Sequence, residues 1–531
     1  MVKRRCHQAL PGPAGAIHYR VAAARLRTRA DLLAWSAHLV GKGWVLAATD
    51  WCEVMRENPQ ISGRIPYLSP SGNRCCSDTV NRSVRTKPVK IFLGCVALLC
   101  ALGTAIALGG VLTGSGGGKK SAANASTATD PAVKDPADDA SSDNPPAGSL
   151  VLRIDGPDGL VTPSEIKSFK ADVETLTPAG DNIGNNWAQG RSGQAAEAMG
   201  TVYEISHDTA ILDRMIGFCD AVLSERNDLA PSPVGRHPLW TGKVDPAWPN
   251  DVTAQPIGTG GEQGDPVGHL GNCARQILQT PAIWHKRVPI GDPHQYGATY
   301  LDRAKKFVAE ADVAVDQHIL ARLLDVSRSD RQYFAGDSPY QGGKPVPWNQ
   351  QMMFDYGFSN LASAHQILGD DAQRAARYDR LVKASVNWFF SAARRYTDPA
   401  GKSAYDWGYS PSQRAGEDSN HGSLDCAGLY RLYLTGRYSI TASMMAPLAN
   451  TLVDVMTKSP HKYAGRVDGS DGRGHGSSTS YLRGGFLPLA EFRPDAYHAM
   501  LTEALPGNGT TSIDSFSGAL MLKSRRGQHH Y

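Results

Sequence analysis

Residues 349–395 read NQQMMFDYGFSNLASAHQILGDDAQRAARYDRLVKASVNWFFSAARR, two helix-length stretches joined by the turn Gly369-Asp370-Asp371. Apolar residues recur at helical spacing on both sides of the turn, and a glycine followed by two aspartates stops one helix and caps the next. This is a helical hairpin. The same unit returns along the chain. Residues 187–205 lead through Ser206-His207-Asp208 into residues 209–226, where Ile211, Met215, Phe218 and Val222 keep the helical period. Residues 421–434 lead through Thr435-Gly436-Arg437 into a helix reaching residue 456, and residues 477–491 lead through Arg493-Pro494-Asp495 into residues 496–505. A less regular pair spans 267–279 and 296–324.

The later turns recur roughly every sixty residues, too long a period for a tetratricopeptide array. Hairpins of this length, with long loops on one side only, suit a mainly α fold, an incomplete α/α toroid. The first helix of each pair lines the inside and the second forms the outer wall. Loops preceding the inner helices then gather at one end of the ring.

Outward from that domain, residues 149–531, the chain changes character. Residues 113–148 are rich in Gly, Ala, Ser, Asp and Pro and lack aromatics, the composition of a flexible tether. Before it, residues 91–112 read IFLGCVALLCALGTAIALGGVL without a charge, long enough to cross a hydrocarbon core of about 30 Å. Arg82, Arg85, Lys87 and Lys90 precede this run, and positive flanks stay in the cytoplasm. The expectation is a single transmembrane signal-anchor in the lipid bilayer, with residues 1–90 as a disordered cytoplasmic tail and the toroid outside. Secretion after signal cleavage near Ala105–Ala107 is the alternative.

Composition agrees with a globular majority: 531 residues, 41% hydrophobic and 20% charged, with 55 glycines and 33 prolines for loops. The net charge of +4 divides unevenly, because residues 1–90 hold 15 Lys and Arg against 5 Asp and Glu, leaving −6 for the rest. That balance excludes a nucleic-acid-binding role for the folded domain. Six of the nine cysteines fall in the first hundred residues, and Cys219, Cys273 and Cys426 read as small buried hydrophobes rather than a disulfide framework.

Each inner helix opens on an unusual group. The openings are Trp187, Gln189 and Arg191; Trp348, Asn349 and Gln350; Tyr405, Trp407, Tyr409, Arg414, Glu417 and His421; and His475, Tyr481 and Arg483. Tryptophan and tyrosine faces stack on sugar rings, while Asn, Gln, Arg and His give directional hydrogen bonds to hydroxyls and carboxylates. The three arginines favour an acidic polysaccharide as partner. GTGGEQG at 258–264 carries no P-loop Lys-Ser/Thr and does not read as a phosphate site. No Cys-His cluster or HExxH calls for a metal, and no cofactor is expected.

The segments VPWNQQM (346–352), DWGYSPSQRAGEDSNHG (406–422) and HGSSTSYLRGG (475–485), set on a ring of hairpins, resemble the α/α-toroid polysaccharide lyases of the alginate and glycosaminoglycan lyase kind. The likeness is architectural and covers most of residues 180–505; the alginate-lyase NNH tripeptide is absent. It implies a lyase that cleaves a uronate-containing polysaccharide by β-elimination, membrane-anchored and extracellular if residues 91–112 are its signal-anchor. Asn349 and Arg414 would clamp the carboxylate, His421 would neutralise it or act as base, and Tyr405, Tyr409 or Tyr481 would serve as base and acid. Trp187, Gln189, Arg191, Trp348, Gln350, Trp407, Glu417, His475 and Arg483 would bind the sugar. A glycoside hydrolase drawing a carboxylate pair from Asp406, Glu417, Asp418 and Asp425 is the enzymatic alternative. A non-catalytic glycan-binding or scaffold protein is the other.

Overall fold

The structure, a computed structural model, describes residues 152–178, 184–188, 190–504 and 512–528. These lie in one compact unit, within residues 129–531. The tail, the apolar run 91–112 and the tether 113–148 fall outside the described residues. Among the described residues, no helix is long and apolar enough to cross a membrane.

Helices dominate. In chain order they are α1 Pro163–Thr175, the short α2 Gly184–Ala188, α3 Arg191–Ser206, α4 Thr209–Ser224, α5 Gly264–Leu278 and α6 Tyr300–Ala314. There follow α7 Trp348–Leu368, α8 Ala372–Ala392, α9 Ser419–Leu434, α10 Ala442–Asn450, α11 Tyr497–Ala504 and α12 Ile513–Gln528. Wider π turns extend α6 through Val315–Leu323 and α10 through Thr451–Met456, and a 3-10 helix spans Gly484–Phe492. Two small antiparallel ribbons, Arg394–Thr397 with Ser403–Asp406 and Thr457–Ser459 with Lys462–Tyr463, decorate the loops.

The expected turns hold the hairpins. His207 takes a left-handed conformation at φ 52° to end α3, and Asp208 caps α4 by accepting from the Ala210 N–H at 3.0 Å. Gly369, at φ 66°, ends α7, and Asp371 caps α8. Such caps satisfy backbone groups that a helix end otherwise leaves unpaired.

Burial sorts the helices into two layers. Every residue of α5 except Arg275 is buried, as is most of α7. By contrast α8 buries one stripe, Ala375, Tyr378, Val382, Ser385, Val386, Trp388 and Phe389, as an outer helix does. Glycines let the inner layer close up. A Cβ at Gly264 would stand 2.3 Å from the backbone of Met353 and Phe354, and one at Gly268 would stand 2.0 Å from the Tyr356 ring.

Inner elements pack in sequence: α3 on α5, α5 on α7, α7 on α9, α9 on the Gly484–Phe492 helix, that helix on α12, and α12 back on α3. The ring is therefore closed by six inner elements, which corrects the expected incomplete toroid. Its closing helix, α12, lies beyond the last hairpin expected from the sequence, which ends at residue 505. The outer partner of α12 is α1, the first helix of the described residues. On α1, Phe169 stacks on Phe516 with centroids 6.1 Å apart, and Glu165 pairs with Lys523 at 2.6 Å with both side chains buried.

Boundaries differ from expectation where loops intervene. The single helix expected over 187–205 is broken between α2 and α3, and residues 477–483 are loop ahead of the 3-10 helix. The sequence places helix over those residues because apolar periodicity does not register backbone breaks.

Candidate active site

The N-termini of the inner helices gather at one end of the ring. On one bank stands the start of α9. Asp418 is its N-cap: Oδ1 accepts from the N–H groups of Asn420 and His421, both at 3.0 Å, and Oδ2 lies 2.6 Å from His421 Nδ1. Glu417 is held by its backbone between two loops, donating to the Trp407 carbonyl at 2.7 Å and accepting from the Val467 N–H at 2.9 Å. Its carboxylate accepts from the Asp418 N–H at 2.9 Å through Oε1, which lies 3.9 Å from His421 Nδ1. One helical turn on, Asp425 accepts from Trp407 Nε1 at 2.8 Å.

These three carboxyls are tuned differently. Burial, then the neighbouring Asp425, pushes Glu417 well above the usual carboxylate range. Burial also raises Asp425 to about 8. For Asp418 burial acts upward too, but the hydrogen bond and charge of His421 outweigh it, and its pKa is lowered.

The facing bank is the entry to α5. Glu262 sits in a one-turn 3-10 helix, is 6% exposed, and accepts from the Gly260 N–H at 2.5 Å and from Gln263 Nε2 at 3.1 Å. Burial raises its pKa despite these donors. A Cβ at Gly260 would touch both Glu262 and the Tyr340 ring, so the carboxyl and the ring border the same backbone.

Tyr340 bridges the banks. Its hydroxyl accepts from Gln350 Nε2 at 2.6 Å, it is hydrogen-bonded with Tyr409, and the charge of Glu262 acts on it. The Tyr409 ring in turn lies edge-on to His421 with centroids 4.8 Å apart. Glu262, Tyr340, Tyr409, His421 and Asp418 thus form one contiguous run of side chains across the mouth. At its side, Arg483 donates to Ser419 Oγ at 3.1 Å and to Asn420 Oδ1 at 2.9 Å, and the His475 ring stands 5.6 Å from His421. Inside the ring, Arg431 pairs with Glu197 and lies over the Tyr356 ring.

Of the residues singled out in the sequence, Tyr409, His421, Glu417, His475 and Arg483 come together here, with Gln350 joined through Tyr340. Tyr481 is 51% exposed beside Arg483. Asn349 opens α7 and is 6% exposed, with its Oδ1 making no hydrogen bond.

Others lie elsewhere. Trp187 is fully buried and donates to Glu225; Trp348 packs edge-on against Trp388 and Phe389; Trp407 packs on Phe389. The expectation of stacking platforms is therefore corrected: these indoles are core, because the cheapest place for a large apolar ring is the space between the helix layers. Tyr405 packs on Phe390, its backbone bonded to Thr451, away from His421. Arg191 and Arg414 are exposed, and Arg191 acts on Asp172 of α1. Asp406 is consumed by Gly416 and Arg394. Gln189 lies outside the described residues.

Glu262 and Tyr340 were not singled out as site residues. The signal for Glu262 was its place in GGEQGD at the start of an inner helix, the same position as the other openings. Tyr340 sits in a long loop and has no such signal.

No protein-family model matches this chain, and comparison with curated proteins gives no match. Solved structures do resemble it. A glycoside hydrolase of family 76, a mannosidase from Bacteroides thetaiotaomicron, shares 10% identity, covering 68% of this chain and 72% of its own, at a TM-score of 0.33. Two variants of a reducing-end-xylose releasing exo-oligoxylanase each share 12%, covering 69% of this chain and 92% to 93% of their own, at a TM-score of 0.37. At that level neither protein's chemistry transfers to this chain.

Proposed function

We propose that this protein is a glycoside hydrolase working at the mouth of the ring, with Glu262 as general acid and Asp418 as general base. The observation that carries the reading is the contiguous run from a buried carboxyl, its pKa raised by burial, on one bank to an imidazole-paired carboxylate on the other. Hydrolysis of a glycosidic bond asks for that division: one carboxyl protonates the leaving oxygen while the other takes a proton from the attacking water. Burial raises the pKa of Glu262 and so favours its acid form. His421 lowers the pKa of Asp418 and so favours its ionised form, and the side chains of Tyr340 and Tyr409 stand between the two carboxyls.

The lyase reading is less well supported. It needs cations directed at a uronate, yet Arg483 is engaged by Ser419 and Asn420 and Arg414 is exposed to solvent. A uronate would also meet the carboxylate of Asp418, whose pKa is lowered. A neutral oligosaccharide or polysaccharide suits the mouth better. With residues 91–112 as a signal-anchor, the substrate would lie outside the cell.

The test is a panel of neutral and uronate polymers given to the wild type, Glu262→Gln and Asp418→Asn. Hydrolysis of a neutral polymer, lost in both variants, supports the proposal. An unsaturated product, or full activity in both variants, overturns it.

A further inference from the structure

The start of α9 crowds two carboxyls and an imidazole together. Among the described residues, Glu417, Asp418 and His421 each offer one ligand atom, and these atoms all lie within 4.8 Å of one another. The 465–476 loop folds over them: Gly465 O accepts from the Ser419 N–H at 2.7 Å, and the loop brings His475 beside His421. A second observation points to a missing partner. Glu417 is 2% exposed and its Oε2 makes no hydrogen bond; Asp425, fully buried one turn after His421, likewise leaves Oδ1 without one. Buried carboxylate oxygens are normally satisfied, and a cation satisfies them without needing a donor hydrogen.

We propose that Glu417, Asp418 and His421 bind a divalent transition-metal ion, with His475 as the fourth ligand, and that the ion inhibits the enzyme by occupying Asp418. Two carboxylates and two imidazoles form a mixed oxygen and nitrogen set that suits zinc, whereas calcium and magnesium favour oxygen alone. The ion takes the place of the proton shared between His421 Nδ1 and Asp418 Oδ2, so the base is no longer available to water. Only the inhibitory half rests on the hydrolase reading.

The experiment titrates the metal-free full chain with Co2+, whose visible absorption reports four-coordinate nitrogen and oxygen ligation, and then displaces it with Zn2+. One ion per chain is expected, with affinity at least ten-fold weaker in Glu417→Gln and in His475→Ala. No absorption change, or unaltered affinity in both variants, overturns the site. Should Glu417→Gln melt early, His475→Ala carries the comparison, since His475 is only partly buried in a loop. Slowed glycan hydrolysis in Zn2+, relieved in His475→Ala, supports the inhibitory half, and unchanged hydrolysis with the ion bound overturns it. Metal binding without any hydrolysis by the metal-free protein sinks the hydrolase reading and leaves the metal site standing.

Discussion

Glu262 and Asp418 are carboxyls whose surroundings displace them in opposite directions, and each displacement has a separate test. Glu262→Gln keeps the side-chain shape and the Gly260 contact but cannot give a proton, so kcat should fall by roughly 10²–10⁴. Substrates with good leaving groups should be spared, which kinetics on aryl glycosides would read. Asp418→Asn retains a competent helix cap, so a comparable loss should come with little change in melting temperature. Activity should fall on the acid side as Asp418 protonates and on the alkaline side as Glu262 loses its proton.

Asp425 gives a stability signature of its own. Its folded pKa of about 8 lies above the unfolded value, so its favourable contribution is complete below about pH 4. That contribution drains away as pH rises toward 8. Asp425→Asn, which can still accept from Trp407, should flatten the pH dependence of the melting temperature across this window. A slope identical to wild type would show that Asp425 is ionised in the folded protein.

Among the elements, α5 and α7 show what the sequence revealed and what it did not. Helical periods and the turns at His207, Gly369 and Gly436 are local features, so the hairpins could be read directly. Whether Trp348 faces a sugar or Trp388 depends on which side of α7 meets α8, and no local pattern records that. The core assignment predicts that Trp348→Ala costs about 3–5 kcal/mol, while Trp348→Phe leaves KM for glycan nearly unchanged. Thermal melts and steady-state kinetics on the same pair of variants separate the two roles. The α5–α7 seam is tighter still. Gly264→Ala would drive a methyl into backbone that cannot yield, and a loss of about 3 kcal/mol or more is expected in denaturant unfolding.

In the whole molecule, the two ends of the described fold complete the ring. The opening of α5 and that of α9 come from distant segments, so the facing of Glu262 and Asp418 became visible only once the ring was built. Closure rests on α12 against α3 and on the buried Lys523–Glu165 pair. Lys523→Met should cost about 3 kcal/mol, the lower end for a broken buried pair, because Glu165 keeps the backbone donors of Asp155 and Thr162. Hydrogen exchange should then quicken first in α1 and α12. The −6 carried beyond residue 90 does not decide substrate charge; in the hydrolase account the Asp418 carboxylate at the mouth favours a neutral glycan.

The most direct measurement is the mass of the first product released from a neutral polysaccharide by the purified protein, beside the Glu262→Gln variant. The hydrolase account predicts fragments that have gained the elements of water, absent with the variant. Unsaturated fragments from a uronate polymer, formed equally by wild type and variant, would contradict it.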